Sequence, residues 1–151
     1  MNIFLDIEEK YKKPELHICN DRKTEEILNL KELLEDMFNE KITVHNNQET
    51  KKISAYEIVR IYSENKKVYV RTAENSYEVR ERLYSLEEEL KDKGFIRISY
   101  SEIVNISLID KMDMSYSGTI KMFMKNGDIT FVSRRYVGKI KETLNKETKN
   151  G

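Results

Sequence analysis

Cysteine is nearly missing from this chain of 151 residues: Cys19 is the only thiol. An intramolecular disulfide is therefore excluded, and a reducing compartment fits. Proline occurs once and glycine five times, too few for a disordered or low-complexity chain. No apolar run approaches the ~18 residues of a membrane span. The opening MNIFLDIEEKYKK turns acidic after a few apolar residues, unlike a signal peptide. These absences lead us to expect a soluble cytoplasmic protein. Histidine is scarce as well. His17 and Cys19 form an H-x-C pair, two ligands where zinc takes about four, so neither metal nor cofactor is expected. There is no glycine-rich phosphate loop, nucleophile elbow or HExxH. The acidic run Glu87-Glu88-Glu89 has the look of a solvated helical face. Nothing points to an enzyme.

What is present begins with an uneven charge. The net charge is zero, yet residues 1–41 hold 7 basic against 11 acidic side chains, and the segment from Lys121 holds 8 basic against 3 acidic. That distribution suggests a basic working surface with an acidic appendage. Hydrophobic residues at 38% still allow a core, and the length suits one domain with a small extension.

Asn2 to Ile7 and Glu15 to Cys19 read as strands punctuated by Pro14. Thr24 then opens a helix with Ile27, Leu30, Leu34 and Met37 at helical spacing, widened by Leu28, Leu33 and Phe38. So broad a stripe must be buried on its own strands or on a partner chain. Residues 1–41 are thus expected to form a small α/β regulatory or dimerisation region. From Lys41 the pattern becomes β. Ile58 to Tyr62, Val68 to Thr72 and Tyr77 to Arg80 form a meander with polar turns between them. Ser85 and Glu88 have the spacing of a capping box opening a short helix, which Gly94 closes. A strand around Ile106 to Ile109 and a hairpin turning at Asn126-Gly127 follow. Tyr136, Val137, Ile140 and Leu144 then mark a final amphipathic helix.

The stretch Phe95 to Asn105, FIRISYSEIVN, contradicts itself as a strand. Its alternation around Arg97 is interrupted by Ser99, Tyr100, Ser101 and Glu102 before Ile103 and Val104 resume. Such a break suits a polar loop held on a rigid β framework. A second polar block, Ser133-Arg134-Arg135-Tyr136, stands where the last hairpin strand meets the final helix. Phe95, Arg97, Ile98, Ser101, Val104 and Asn105, followed by this second block, resemble the LytTR DNA-binding domain of bacterial transcription regulators. The resemblance covers about residues 42–147, leaving 148–151 as a disordered tail. It implies a mainly β fold with short helices: an elongated, LytTR-like antiparallel β-sheet domain preceded by the small α/β piece. By the same resemblance, its loops enter successive major grooves of duplex DNA.

The family's base-reading positions, carried over by the resemblance, fall at Lys67, Tyr100 and Arg135. Lys66, at the same hairpin tip as Lys67, joins the candidate DNA-binding set. So do Arg97, Ser99, Ser101, Arg134 and Lys139. Arg134 and Arg135 are adjacent, so their side chains diverge, and a neighbouring helix N-terminus can itself donate to phosphate. Tyr100 departs from the basic residue or asparagine often found there, and it cannot make a bidentate contact with a base. Acidic Glu102 stands close by. Asn105 reads as a residue that satisfies backbone groups at a strand end. The resemblance further implies repeated operator sites, a homodimer on DNA and a possible membrane-bound inhibitor protein. The chain leaves no room for a receiver domain, so phosphorelay control is not expected. The alternative is a β-rich interaction or sensory module whose basic tail binds an acidic protein without DNA specificity.

Overall fold

The computed structural model describes residues 2–12, 15–38, 41–46 and 49–150, apart from the side chains of 36–38, 46 and 147–150. Helix α1 (Glu25–Phe38) is followed by five strands: β1 (Lys41–Asn46), β2 (Glu49–Ser54), β3 (Arg60–Glu64), β4 (Lys67–Arg71) and β5 (Ser76–Val79). Helix α2 (Leu83–Leu90) precedes β6 (Phe95–Ser99), β7 (Glu102–Asn105), β8 (Ile109–Asp113), β9 (Ile120–Met124) and β10 (Ile129–Val132), and α3 spans Arg134–Asn150. All pairings are antiparallel. One sheet has the order β2-β1-β5-β4-β3-β7-β6, the other β10-β9-β8. The expected mainly β architecture with short helices is what folds.

Two hydrophobic cores flank the large sheet. Leu83, Leu86 and Leu90 of α2 pack on Ile61, Val70, Phe95 and Ile103 to form the first. The second joins Val59, Ile96, Ile98 and Val104 to the small sheet (Ile120, Met122, Met124, Val132) and to Ile140 of α3. Strand β6 is therefore buried on both sides. Phe95 belongs to the first core, and Ile96 and Ile98 to the second. A strand enclosed on both faces needs no polar side, and this explains why FIRI carries apolar residues on consecutive positions. The one charged residue in it, Arg97, must find partners within the protein.

The final helix forms as its spacing predicts, with Tyr136, Val137 and Leu144 half-buried around fully buried Ile140. The last hairpin turns at Asn126-Gly127, where Gly127 has φ +91°, a conformation that glycine adopts without a Cβ clash. Other expectations need correction. Helix α2 starts at Leu83, with Ser85 inside it, because burying Leu83 and Leu86 outweighs a serine cap worth about 1 kcal/mol. The strand expected around Ile106 to Ile109 is a 3-10 turn over 106–108, and β8 begins at Ile109. The β1–β2 hairpin has no counterpart in the sequence reading. Helix α3 continues to Asn150, beyond the boundary drawn at 147; Gly151 lies outside the described residues.

The largest correction concerns the N-terminal region. Residues 2–8 and 15–20 carry no strand. Thr24 does open α1, its Oγ1 accepting from the Ile27 N–H at 3.3 Å. On that helix Ile27, Leu30 and Leu34 are half-buried while Leu28 and Leu33 stay exposed, and none of the five joins either core. The side chains of Met37 and Phe38, which completed the expected stripe, lie outside the described residues.

Candidate nucleic-acid interface

Two backbone hydrogen bonds bring the separate polar segments of the sequence to one edge of the molecule. The Ser63 N–H donates to the Ser101 carbonyl at 2.8 Å, joining the β3–β4 hairpin to the β6–β7 turn. The Ser133 N–H donates to the Ile98 carbonyl at 2.9 Å, joining the start of α3 to the same turn. Because β4, β3, β7 and β6 are consecutive neighbours, the two hairpin tips stand about two strand spacings apart, or ~10 Å. A B-DNA major groove is about 12 Å wide, so both tips are on the scale of one groove.

Each tip has a local cause. Asn65 (φ 51°) and Lys66 (φ 64°) both adopt the left-handed conformation between β3 and β4, as a two-residue type I′ turn requires. Lys66 is thereby held exposed at the apex. Lys67 is different: its Nζ pairs with Glu78 on β5 at 3.1 Å, which satisfies part of its charge inside the protein.

At the second tip the Ser99 hydroxyl accepts from the Ser101 N–H at 3.2 Å. This closes the turn and leaves Tyr100 85% exposed. Arg97 braces the turn from beneath. Its Nε donates to the Ser99 carbonyl at 2.7 Å, Nη1 donates to Glu87 of α2 at 2.6 Å, and Nη2 donates to the Tyr100 carbonyl. At 9% exposure Arg97 faces protein, which corrects its place among the contact residues. Its role is to hold Tyr100 out. The two serines likewise use hydroxyls on the turn itself.

The third element is the first turn of α3. Arg135 and Lys139 are exposed and lie four residues apart, so they share one face of the helix. Arg134 diverges from them, its side chain lying over Gly118 (φ +75°). A Cβ at Gly118 would come 2.9 Å from the Arg134 Nε, so the absence of a side chain there leaves room for this arginine.

The acid beside the second tip is neutralised. Glu102 accepts from Arg60 Nη1 at 3.0 Å and from the Thr130 hydroxyl at 2.7 Å. Asp128 in turn accepts from Arg60 Nε at 2.9 Å and Arg71 Nε at 3.0 Å. Burial pushes the Asp128 carboxyl up, but hydrogen bonds from the guanidiniums of Arg71 and Arg60 outweigh it and hold the pKa down to about 2. This cluster ties β3, β4 and β7 of the large sheet to β10 of the small one. Sequence reading missed it entirely. Asn105 does what its sequence suggests: its amide donates to the Ile58 carbonyl at 2.9 Å and its Oδ1 accepts from the Ser107 N–H at 3.1 Å.

The family model of the LytTr DNA-binding domain matches residues 48–145, more than half of the chain and the whole of this three-part edge. The chain belongs to the LytTr DNA-binding domain family. It is 39% identical over 92 residues to an uncharacterized HTH-type transcriptional regulator of Staphylococcus aureus (strain NCTC 8325 / PS 47), covering 61% of this chain and 62% of that protein. A similar regulator from the bovine strain RF122 / ET3-1 is 44% identical over 80 residues, covering 53% of this chain and 54% of its own length. The matches thus span about half to three-fifths of these relatives. Among solved structures, the LytTr DNA-binding domain of a protein described as a methyl-accepting/DNA response regulator from Bacillus cereus superposes with a TM-score of 0.66. That match covers 69% of this chain and 95% of that one at 24% identity, which bears on the fold alone. A LytTr domain binds DNA and is not an enzyme family. Among the described residues no helix is long and apolar enough to cross a membrane, and no cluster of His, Cys, Asp and Glu could hold a metal.

Proposed function

We propose that this chain is a sequence-specific duplex-DNA-binding transcription regulator that reads major grooves through loops of its LytTr domain, with two protomers on repeated sites. The observation that carries this reading is the convergence of Lys66, Tyr100 and Arg135 at one edge, stitched by the Ser63–Ser101 and Ser133–Ile98 hydrogen bonds. The three side chains divide the work. Lys66 is a mobile point charge on a tight turn, suited to phosphate. Arg135 stands on a helix, which fixes its direction, and a guanidinium can grip guanine O6 and N7 together. Tyr100 offers one hydroxyl and an aromatic edge, suited to a single hydrogen bond or a thymine methyl. Lys139, one turn beyond Arg135, adds a phosphate contact on the same helix face.

Selecting bound sites from random duplexes tests the reading, followed by affinities for every single-base variant of the selected site. Arg135→Ala should cost about 1–3 kcal/mol on the preferred site and relax discrimination at one base position. A uniform loss across the panel would make Arg135 a phosphate anchor, and failure to enrich any sequence would defeat the proposal.

A further inference from the structure

At the far end of the large sheet from the hairpin tips lies a cavity of about 540 Å³, within the size range of small-molecule sites. Thr72 on its wall stands five residues beyond Lys67, or about 17 Å from the tip along β4. The cavity opens between the two sheets. Strand β2, the β4–β5 turn and Tyr77 form one side, and Leu108 with the β9–β10 turn forms the other.

Its walls have two characters. Ile53, Val59 and Leu108 supply an apolar floor, flanked by the rings of Tyr56 and Tyr77. Lys51 and Lys52 from the large sheet and Lys125 from the small one bring three ammonium groups. Lys51 lies over the Tyr77 ring at 4.6 Å, whereas Lys52 and Lys125 are exposed and pair with no carboxylate among the described residues. Of the two acids on the wall, Glu57 and Glu74, the first already accepts from the Ser54 N–H at 3.0 Å. Asn126 adds a further signal. Its Oδ1 is held by the Asp128 N–H at 3.1 Å, and its Nδ2 is buried with no acceptor among the described residues. Buried donors nearly always have an acceptor, so one left over on a cavity wall calls for one. We propose that this cavity binds a small organic anion, with an aromatic or aliphatic body on the apolar floor and a single carboxylate, sulfonate or phosphate group at Lys52 and Lys125. An anion held by lysines of both sheets crosses the same joint that Asp128 ties. The inference goes beyond the DNA reading and does not depend on it.

The fluorescent aromatic anion 1-anilinonaphthalene-8-sulfonate tests this on the full-length chain. One equivalent should bind saturably at micromolar concentrations, with amide NMR shifts centred on residues 51–53, 72–75 and 125–126. N-phenyl-1-naphthylamine, the same body without the sulfonate, should bind at least tenfold more weakly. Lys52→Glu with Lys125→Glu should weaken binding of the anion at least tenfold and leave thermal unfolding unchanged. Ala73→Trp adds bulk at the exposed rim without altering charge. It should weaken binding as well, and it serves as the test should the double variant fail to fold. An anion could also seek the basic edge, and an aromatic dye the exposed N-terminal side chains. Lys66→Ala and Leu5→Glu should therefore each leave the affinity unchanged. Binding that does not saturate overturns the inference. So does binding that the sulfonate-free parent matches, or that falls with Lys66→Ala or Leu5→Glu but not with the cavity variants. Failure to enrich any duplex sequence would count against the proposed function and leave the dye titration untouched.

Discussion

Replacing Asp128 by asparagine should loosen the joint between the two sheets, and the cost can be worked out from the geometry. The carboxylate accepts three bonds, at 2.9 Å from Arg60 and at 3.0 and 3.3 Å from Arg71. Asparagine keeps one acceptor oxygen and removes the charge, leaving Arg60 with Glu102 and taking from Arg71 the carboxylate it pairs with. Hydrogen bonds to charged groups contribute about 1.5–3 kcal/mol each, and breaking a fully buried pair costs about 3–5. The side chains of Asp128, Arg60 and Arg71 keep 17%, 21% and 23% of their surface in water, so solvent recovers part of that loss. A destabilisation of about 2–3 kcal/mol follows, read as a shift in the urea midpoint at constant slope.

The pH dependence should change with it. Asp128 titrates at about 2 in the folded chain against an ordinary 3.8. A carboxyl depressed by folding contributes stability that is complete above the unfolded value. That stability is lost as pH falls from about 4 through 2, about 1–2 kcal/mol here after discounting for solvent. Asp128→Asn should flatten this acid limb. It should also weaken DNA binding at temperatures where the variant is fully folded, since β10 leads into Arg135 while Arg60 and Arg71 lie on the strands that carry Lys66. An urea midpoint within about 0.5 kcal/mol of wild type, with an unchanged acid limb, would refute the reasoning.

Lys66 allows stability and binding to be moved in opposite directions. Lys66→Gly relieves a left-handed lysine and should stabilise the domain by roughly 0.5–1 kcal/mol. The same change should weaken every duplex by a similar factor and flatten the salt slope by about one unit; thermal unfolding beside a salt titration reads both. Arg97→Met should cost about 2–3 kcal/mol, since it leaves the Glu87 carboxylate and two turn carbonyls without their donor. Hydrogen exchange at Tyr100 and Ser101 should rise, and discrimination should fall at the base that Tyr100 faces; an unaltered exchange rate at those amides would exclude the bracing role.

Local patterns were legible in the sequence wherever the physics is local. The Asn126-Gly127 turn, the Thr24 cap and the stripe from Tyr136 to Leu144 each depend on residues within a turn or two of one another, and each is found. Asn105 could be read because a strand end leaves backbone groups to satisfy. Features decided by distant partners stayed hidden. Arg60 and Asp128 are 68 residues apart, and nothing near either one announces the other. The alternation at Ile3, Leu5 and Ile7 is real, but a strand exists only when a neighbour pairs with it. Lys67 looked equivalent to Lys66 until pairing with β5 set Glu78 beside it.

Arg97 shows why the candidate site was half legible. In sequence it is an arginine next to a polar loop, which is also how a DNA-contacting residue looks. Its direction is set by the pleat: Phe95 faces the α2 core, so Arg97, two residues on, faces the same side. There it meets Glu87 and the carbonyls of the turn. The family motif is therefore a mixture of two physical roles. Phe95, Ile98 and Val104 fill the two cores, and Arg97 and Asn105 hold backbone at either end of the hairpin. On the proposed reading, the residues left to face DNA are those the motif does not specify, Tyr100 above all. A regulator built this way can change its operator at the tip without disturbing the strand that supports it.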